Sequence, residues 1–194
     1  MESITQTIIA LLAVINPVVC GKILLKIGNG NKLKGNILSG IKAMGVVLII
    51  LIIAAIGGQY ILKAFGISLD AFKLVGGVIL AFLGFQMLGS SKSDPNQDNS
   101  KGLDNLMFFA ASPGTIVMVI TLASVHHTSK YPATVLIGII IAIFITIIIM
   151  TLMQFLSSHK KNSGRGIVSK FMGLIIVSMG LQFILDGLKD FFVL

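Results

Sequence analysis

Two stretches carry the residues whose types and spacing could bind a solute: Asn16-Pro17 and Ala111-Ser112-Pro113-Gly114-Thr115. Each lies inside a long apolar run. Proline has no N–H and interrupts the hydrogen-bond ladder of a helix. Asn and Ser are good N-cap residues, and Pro is favoured at the first helical position. Each run therefore reads as two half-helices, the second beginning part-way across. The half that starts there presents free N–H groups and the positive end of its dipole. The half that ends there presents free carbonyls and the negative end. Such a junction offers donors to an anionic group and acceptors to a cationic one. A small zwitterionic substrate suits both without any charged side chain. The side chains agree: Asn16, Ser112 and Thr115 are polar and neutral, while Ala111 and Gly114 are small.

The other chemistry-bearing residues point to less. Gln86 and Gln182 are polar positions within apolar runs, able to contact a solute or to join helices. His126 and His127 are adjacent and so diverge on a helix, and His159 falls in a loop predicted on the opposite face. No carboxylate or Cys cluster accompanies them, so no metal site is expected. Cys20 is the single cysteine, which rules out an intramolecular disulfide. Asp70 and Asp186 fall near run ends, where capping or salt bridging is expected. The HExxH and GxSxG signatures are missing, so neither an enzyme nor a cofactor is expected.

The elements that must position these residues are membrane helices. The chain has 194 residues, 55% hydrophobic, with a mean hydropathy of +0.99 and 11% charged residues. A soluble domain carries about 25% charged residues, and the runs exceed the roughly 18 apolar residues that mark a span. Lipid bilayer is thus the expected surrounding. The net charge of +8 comes from lysines in short loops between runs. No basic stripe interleaved with aromatics is present, so nucleic acid is not an expected partner.

Six runs are predicted: about Ile4 to Ile27, Asn36 to Gly58, Leu69 to Leu88, Leu103 to Val125, Ala133 to Leu156 and Val168 to Leu188. Met1-Glu2-Ser3 carries no basic residue, so the first run is expected to be retained rather than cleaved. Residues 90–102 are polar and read as a linker. The β-branched second and fifth runs would favour strands in water. In lipid a single segment must satisfy its own backbone, which a helix alone achieves.

The Asn16-Pro17 pair recurs as Ser112-Pro113, and Gly77, Gly84 and Gln86 recur as Gly173, Gly180 and Gln182, all at one offset of 96 residues. An internal duplication follows, with repeats at 1–89 and 103–194. Three spans per repeat is an odd number, so the second repeat enters from the opposite side. The predicted fold is all-α, with six transmembrane helices in two inverted three-helix repeats. The first and fourth helices are broken at mid-membrane. Paired breaks in matching halves mark a transporter's binding site. Lys63, Lys73, Lys130 and Lys189 fall on one face, and the other eleven of the fifteen Lys and Arg on the opposite face. The richer face is assigned to the cytoplasm, which puts both termini outside.

At Ile15 to Pro17, Phe65 to Leu88 (FGISLDAFKLVGGVILAFLGFQML), Ala111 to Ile116 (ASPGTI) and Gly180 to Leu188 (GLQFILDGL) the sequence resembles the MarC family. The resemblance runs over essentially the whole chain. It implies a six-helix inner-membrane protein and transport of small neutral amino acids such as glycine and alanine. Two other functions stay open at this point: export of another small metabolite on the same scaffold, and a non-transporting membrane partner in which the breaks are packing kinks.

Overall fold

The computed structural model describes residues 4–27, 33–89, 102–125, 133–156 and 165–192. They form eight helices: α1 (Ile4–Ile15), α2 (Pro17–Ile27), α3 (Leu33–Ala64), α4 (Leu69–Gly89), α5 (Gly102–Ala110), α6 (Pro113–Val125), α7 (Ala133–Leu156) and α8 (Arg165–Phe192). No strand occurs among the described residues. The Ile-rich fifth run is helical from end to end, as a lipid environment demands.

Five segments are long and apolar enough to cross a membrane: Ile4–Leu25, Ile37–Ala64, Leu69–Gly89, Ala133–Phe155 and Lys170–Phe192. The fourth predicted run differs. The interruption at Ala111 and Ser112 divides it into α5 and α6, and the Pro113–Ser124 stretch is a shorter apolar helix. The second run also extends further than expected, because α3 continues to Ala64 and stops at Gly66, whose φ is 67°. Glycine adopts that left-handed conformation freely and ends the helix there.

The outer surface is apolar. Ile53, Phe82, Phe144 and Phe171 are all exposed on their helices. The interior is built on Leu11, Ile15, Leu24, Met44, Leu51, Leu80, Leu106, Ile139 and Met150. A folded chain with so many large side chains facing outward fits hydrocarbon better than water.

Two packing patterns set the architecture. First, α4 and α8 lie backbone to backbone. A Cβ on Gly84 would stand 2.7 Å from the Gly173 carbonyl oxygen, and one on Gly187 would stand 2.9 Å from that of Asp70. The partners run in opposite senses, so the two helices are antiparallel. Their close approach is the small-residue packing of membrane helices. At one end Lys73 Nζ is 2.8 Å from Asp190 Oδ2 and 3.7 Å from Asp70 Oδ1. Second, α1 and α2 both pack on α7, while α5 and α6 both pack on α3. Between the interrupted segments, α1 lies beside α6 and α2 beside α5. These segments therefore run antiparallel, with their interruptions alongside one another.

Candidate functional site

The first interruption is a single residue. The Asn16 N–H still donates to the Leu12 carbonyl at 3.0 Å, closing the last turn of α1. Its φ is then +50°, a left-handed value that Asn tolerates better than most residues. The Asn16 carbonyl accepts from Val19 N–H at 3.0 Å and Cys20 N–H at 3.1 Å, and so opens α2. Its side-chain Oδ1 accepts from Val19 N–H at 3.3 Å. Asn16 is thus an N-cap, as its type predicts, although caps ordinarily sit in the β region. Pro17 is buried at the first helical position. Having no N–H, it leaves the Ala13 carbonyl without the donor that an unbroken helix would supply. The Cys20 thiol donates to the Ile15 carbonyl at 3.2 Å.

Fixing Oδ1 on the cap also orients the amide. Its Nδ2 is the end left over, and it has no hydrogen-bond partner although Asn16 is 0% exposed. A buried donor without an acceptor is costly, typically by about 1–3 kcal/mol.

The second interruption covers two residues. Ala111 N–H donates to Met107 at 2.8 Å, and the Ser112 carbonyl accepts from Ile116 N–H at 3.0 Å. Ser112 Oγ lies 3.4 Å from Thr115 N and 3.1 Å from Thr115 Oγ1. The cap-to-third-residue pairing of Asn16 with Val19 thus recurs as Ser112 with Thr115, each at the expected offset. Thr115 and Gly114 are buried, Ala111 and Ser112 are half-buried, and Pro113 is exposed. A Cβ on Gly114 would lie 2.8 Å from Leu80 Cδ2, so this interruption is pressed against α4.

The two Gln residues are not gathered into this interior. Gln86 is exposed on α4, and Gln182, exposed on α8, donates to Asp186 Oδ1 at 2.8 Å. Among the described residues no group of three His, Cys, Asp or Glu could hold a metal; His126, His127 and His159 lie outside them. Thr146 went unnoticed in the sequence. It is fully buried on α7 and donates to the Ala142 carbonyl at 2.8 Å. Its one signal was a hydroxyl amid an Ile-rich run.

An all-helical chain with an apolar exterior and two capped interruptions inside its helices is an integral membrane protein. It belongs to the MarC family: the family profile, described as MarC family integral membrane protein, matches residues 1–192. The chain is 31% identical to the inner membrane protein MarC of Salmonella paratyphi A, over 97% of this chain and 95% of the relative. The proteins of that name from Citrobacter koseri and Escherichia coli K12 are each 30% identical over the same shares. No solved structure matches the chain.

Proposed function

We propose that the protein is a secondary transporter. It moves small neutral amino acids of glycine or alanine size across the inner membrane by alternating access around the paired interruptions. The observation that carries this reading is the lone Asn16 Nδ2, a buried donor at a helix start with no acceptor of its own. A carboxylate is the natural acceptor, and a hydrogen bond to a charged group is worth about 1.5–3 kcal/mol. The free N–H and C=O groups at the two junctions complete a dipolar cradle formed with Pro17, Ala111, Ser112, Pro113, Gly114 and Thr115. No side chain in that set is charged, which suits a solute of no net charge.

On this reading α5 and α6 together make the fourth of six spans, and residues 1–89 and 103–194 are inverted repeats joined by the linker at 90–102. The packing supports it. The first interrupted segment packs on α7 and the second on α3, an exchange that a two-fold axis in the membrane plane would produce. The Lys and Arg bias puts both termini on the non-cytoplasmic side.

The test is glycine and alanine flux into vesicles, with thermal stabilisation of the purified protein across the twenty amino acids. Asn16→Gly is the informative variant, because glycine accepts the left-handed backbone while losing the amide. Flux and stabilisation by small neutral residues, both lowered about tenfold or more in Asn16→Gly, are expected. Stabilisation by some other metabolite would redirect the substrate, and no ligand at all would leave a packing protein.

A further inference from the structure

Thr7, Asn16, Thr121, Thr146 and Gln154 all turn into the protein interior and are buried. The outward faces of α3, α4 and α7 show Ile49, Ile53, Val78, Phe82, Ile140 and Phe144 instead. On α8 the exposed residues include Ser178 and Gln182, well inside the span Lys170–Phe192. Other exposed polar residues of the described spans, such as Gln86 and Lys42, stand within about two turns of a span end.

The depth of Gln182 follows from the packing of α8 on α4. A Cβ on Gly180 would lie 2.5 Å from Ala81 N and 2.6 Å from the Gly77 carbonyl oxygen. Those two residues flank Ile79, the middle of α4. Gly180 is thus level with the centre of that span, and Gln182 lies about 3 Å further along the axis, at about 1.5 Å per residue. Its direction follows from the helical period. Two residues turn about 200°, so Gln182 points away from the glycine face that meets α4. Phe171, Ile175, Ser178, Gln182, Leu185 and Lys189 follow one another at steps of four, three, four, three and four. They therefore fall on one stripe about 80° wide. Each of them is exposed or half-buried.

We propose that this stripe of α8 is the contact surface for a second copy of the chain, the two α8 helices lying parallel about a two-fold axis along the membrane normal. A glutamine amide carries two N–H groups and a carbonyl oxygen. Among the described residues Gln182 makes one hydrogen bond, from Nε2 to Asp186 Oδ1 at 2.8 Å. Hydrocarbon supplies no partner for the other N–H or for Oε1, and leaving them there is destabilising. The amide is its own complement. A two-fold axis sets identical residues opposite one another, so the remaining N–H of each Gln182 meets Oε1 of the other. Steps of four and three are the seam of a left-handed helix pair, and a polar residue on such a seam fixes register and partner number. Ser178 donates to the Leu174 carbonyl of its own helix at 3.0 Å, and its small side chain lets two helices approach. Charge agrees with the same arrangement. Lys189 lies on the stripe and the half-buried Asp186 on its flank. Parallel copies bring the lysine of each beside the carboxylate of the other. An unrelated helix would need a matching amide at this depth; a second copy carries it by symmetry. The proposal does not depend on what the protein carries.

Two measurements test it. In the first, the full chain with Cys20→Ala carries a single new cysteine and is oxidised in its membrane. Ser178→Cys and Leu185→Cys lie on the stripe; Val78→Cys and Phe144→Cys are the lipid-facing controls. A disulfide needs the two Cβ atoms about 4 Å apart, which the seam of a helix pair provides. The stripe variants should give a cross-linked species of twice the chain mass, roughly fivefold or more above both controls. A yield no greater than the controls, or a link to a protein of another mass, would overturn the proposal. In the second, purified protein bearing donor and acceptor dyes is diluted into lipid vesicles, and energy transfer reports pairing. Gln182→Leu should weaken the pair about tenfold, as the loss of two polar contacts between membrane helices predicts, while keeping the helical circular dichroism of the wild type. Undiminished energy transfer in Gln182→Leu would mean that the amide only braces Asp186 within its own helix, and would also overturn the proposal.

Discussion

Gly77 and Gly180 face each other across α4 and α8 so closely that a Cβ on Gly77 would lie 2.5 Å from the Gly180 carbonyl oxygen, and one on Gly180 would lie 2.6 Å from that of Gly77. The obstructing atoms are backbone and cannot swing away. Gly180→Ala should therefore destabilise the protein by about 1–3 kcal/mol, the usual range for overpacking. Gly45→Ala and Gly57→Ala are the controls, since nothing lies within 4 Å of either added Cβ. They should be neutral or stabilising by up to about 1 kcal/mol, through better helix propensity. Thermal unfolding in detergent checks the contrast.

Asn16 makes a second prediction through its backbone. A left-handed φ costs an ordinary L-residue about 1–2 kcal/mol, and loss of an N-cap side chain costs about 0.5–2 kcal/mol. Asn16→Leu should incur both losses and Asn16→Gly mainly the smaller one. The melting temperature of Asn16→Leu should fall clearly below that of Asn16→Gly. Equal values would mean that the left-handed turn is not held in the folded protein.

Pro17→Ala restores the N–H that the Ala13 carbonyl lacks. The variant should be as stable as the wild type or more so, and its flux should drop about tenfold as the interruption closes. Wild-type flux with altered stability would make the break a packing kink.

The Lys73–Asp190 pair joins α4 to α8 near one end, with the lysine side chain 12% and the aspartate side chain 46% exposed. Solvent screens the aspartate end of the pair, so its contribution is small. A double-mutant cycle of Lys73→Met and Asp190→Asn should give a small favourable coupling. The coupling should shrink at high salt, because screening acts on exposed charge.

Much of this was legible in the residues. The fifth run matches α7 from Ala133 to Leu156, because an unbroken apolar stretch has one stable form in lipid. The two prolines located both interruptions, since a missing N–H is a local property. What escaped is non-local. The alternation of exposed and buried faces is weak when nearly every residue is apolar, so nothing in the sequence said that Thr7 and Gln154 point inward. The left-handed turn at Asn16 was hidden by its identity as a cap, which ordinarily implies a β-region backbone. The nearer of the two carboxylates on Lys73, that of Asp190, lies 117 positions away along the chain, beyond any helical spacing rule.

The contacts along α4 and α8 place main chain against main chain at Gly77, Gly84, Gly173 and Gly180. Rotating or sliding one helix on the other would drive carbonyls into the next Cα or side chain. The pair is thus a stiff strut, with little freedom to flex internally. On the proposed transporter reading the strut is the fixed frame, and the interrupted hydrogen-bond ladders at Asn16 and at Ala111–Ser112 are where the helices packed around it would bend.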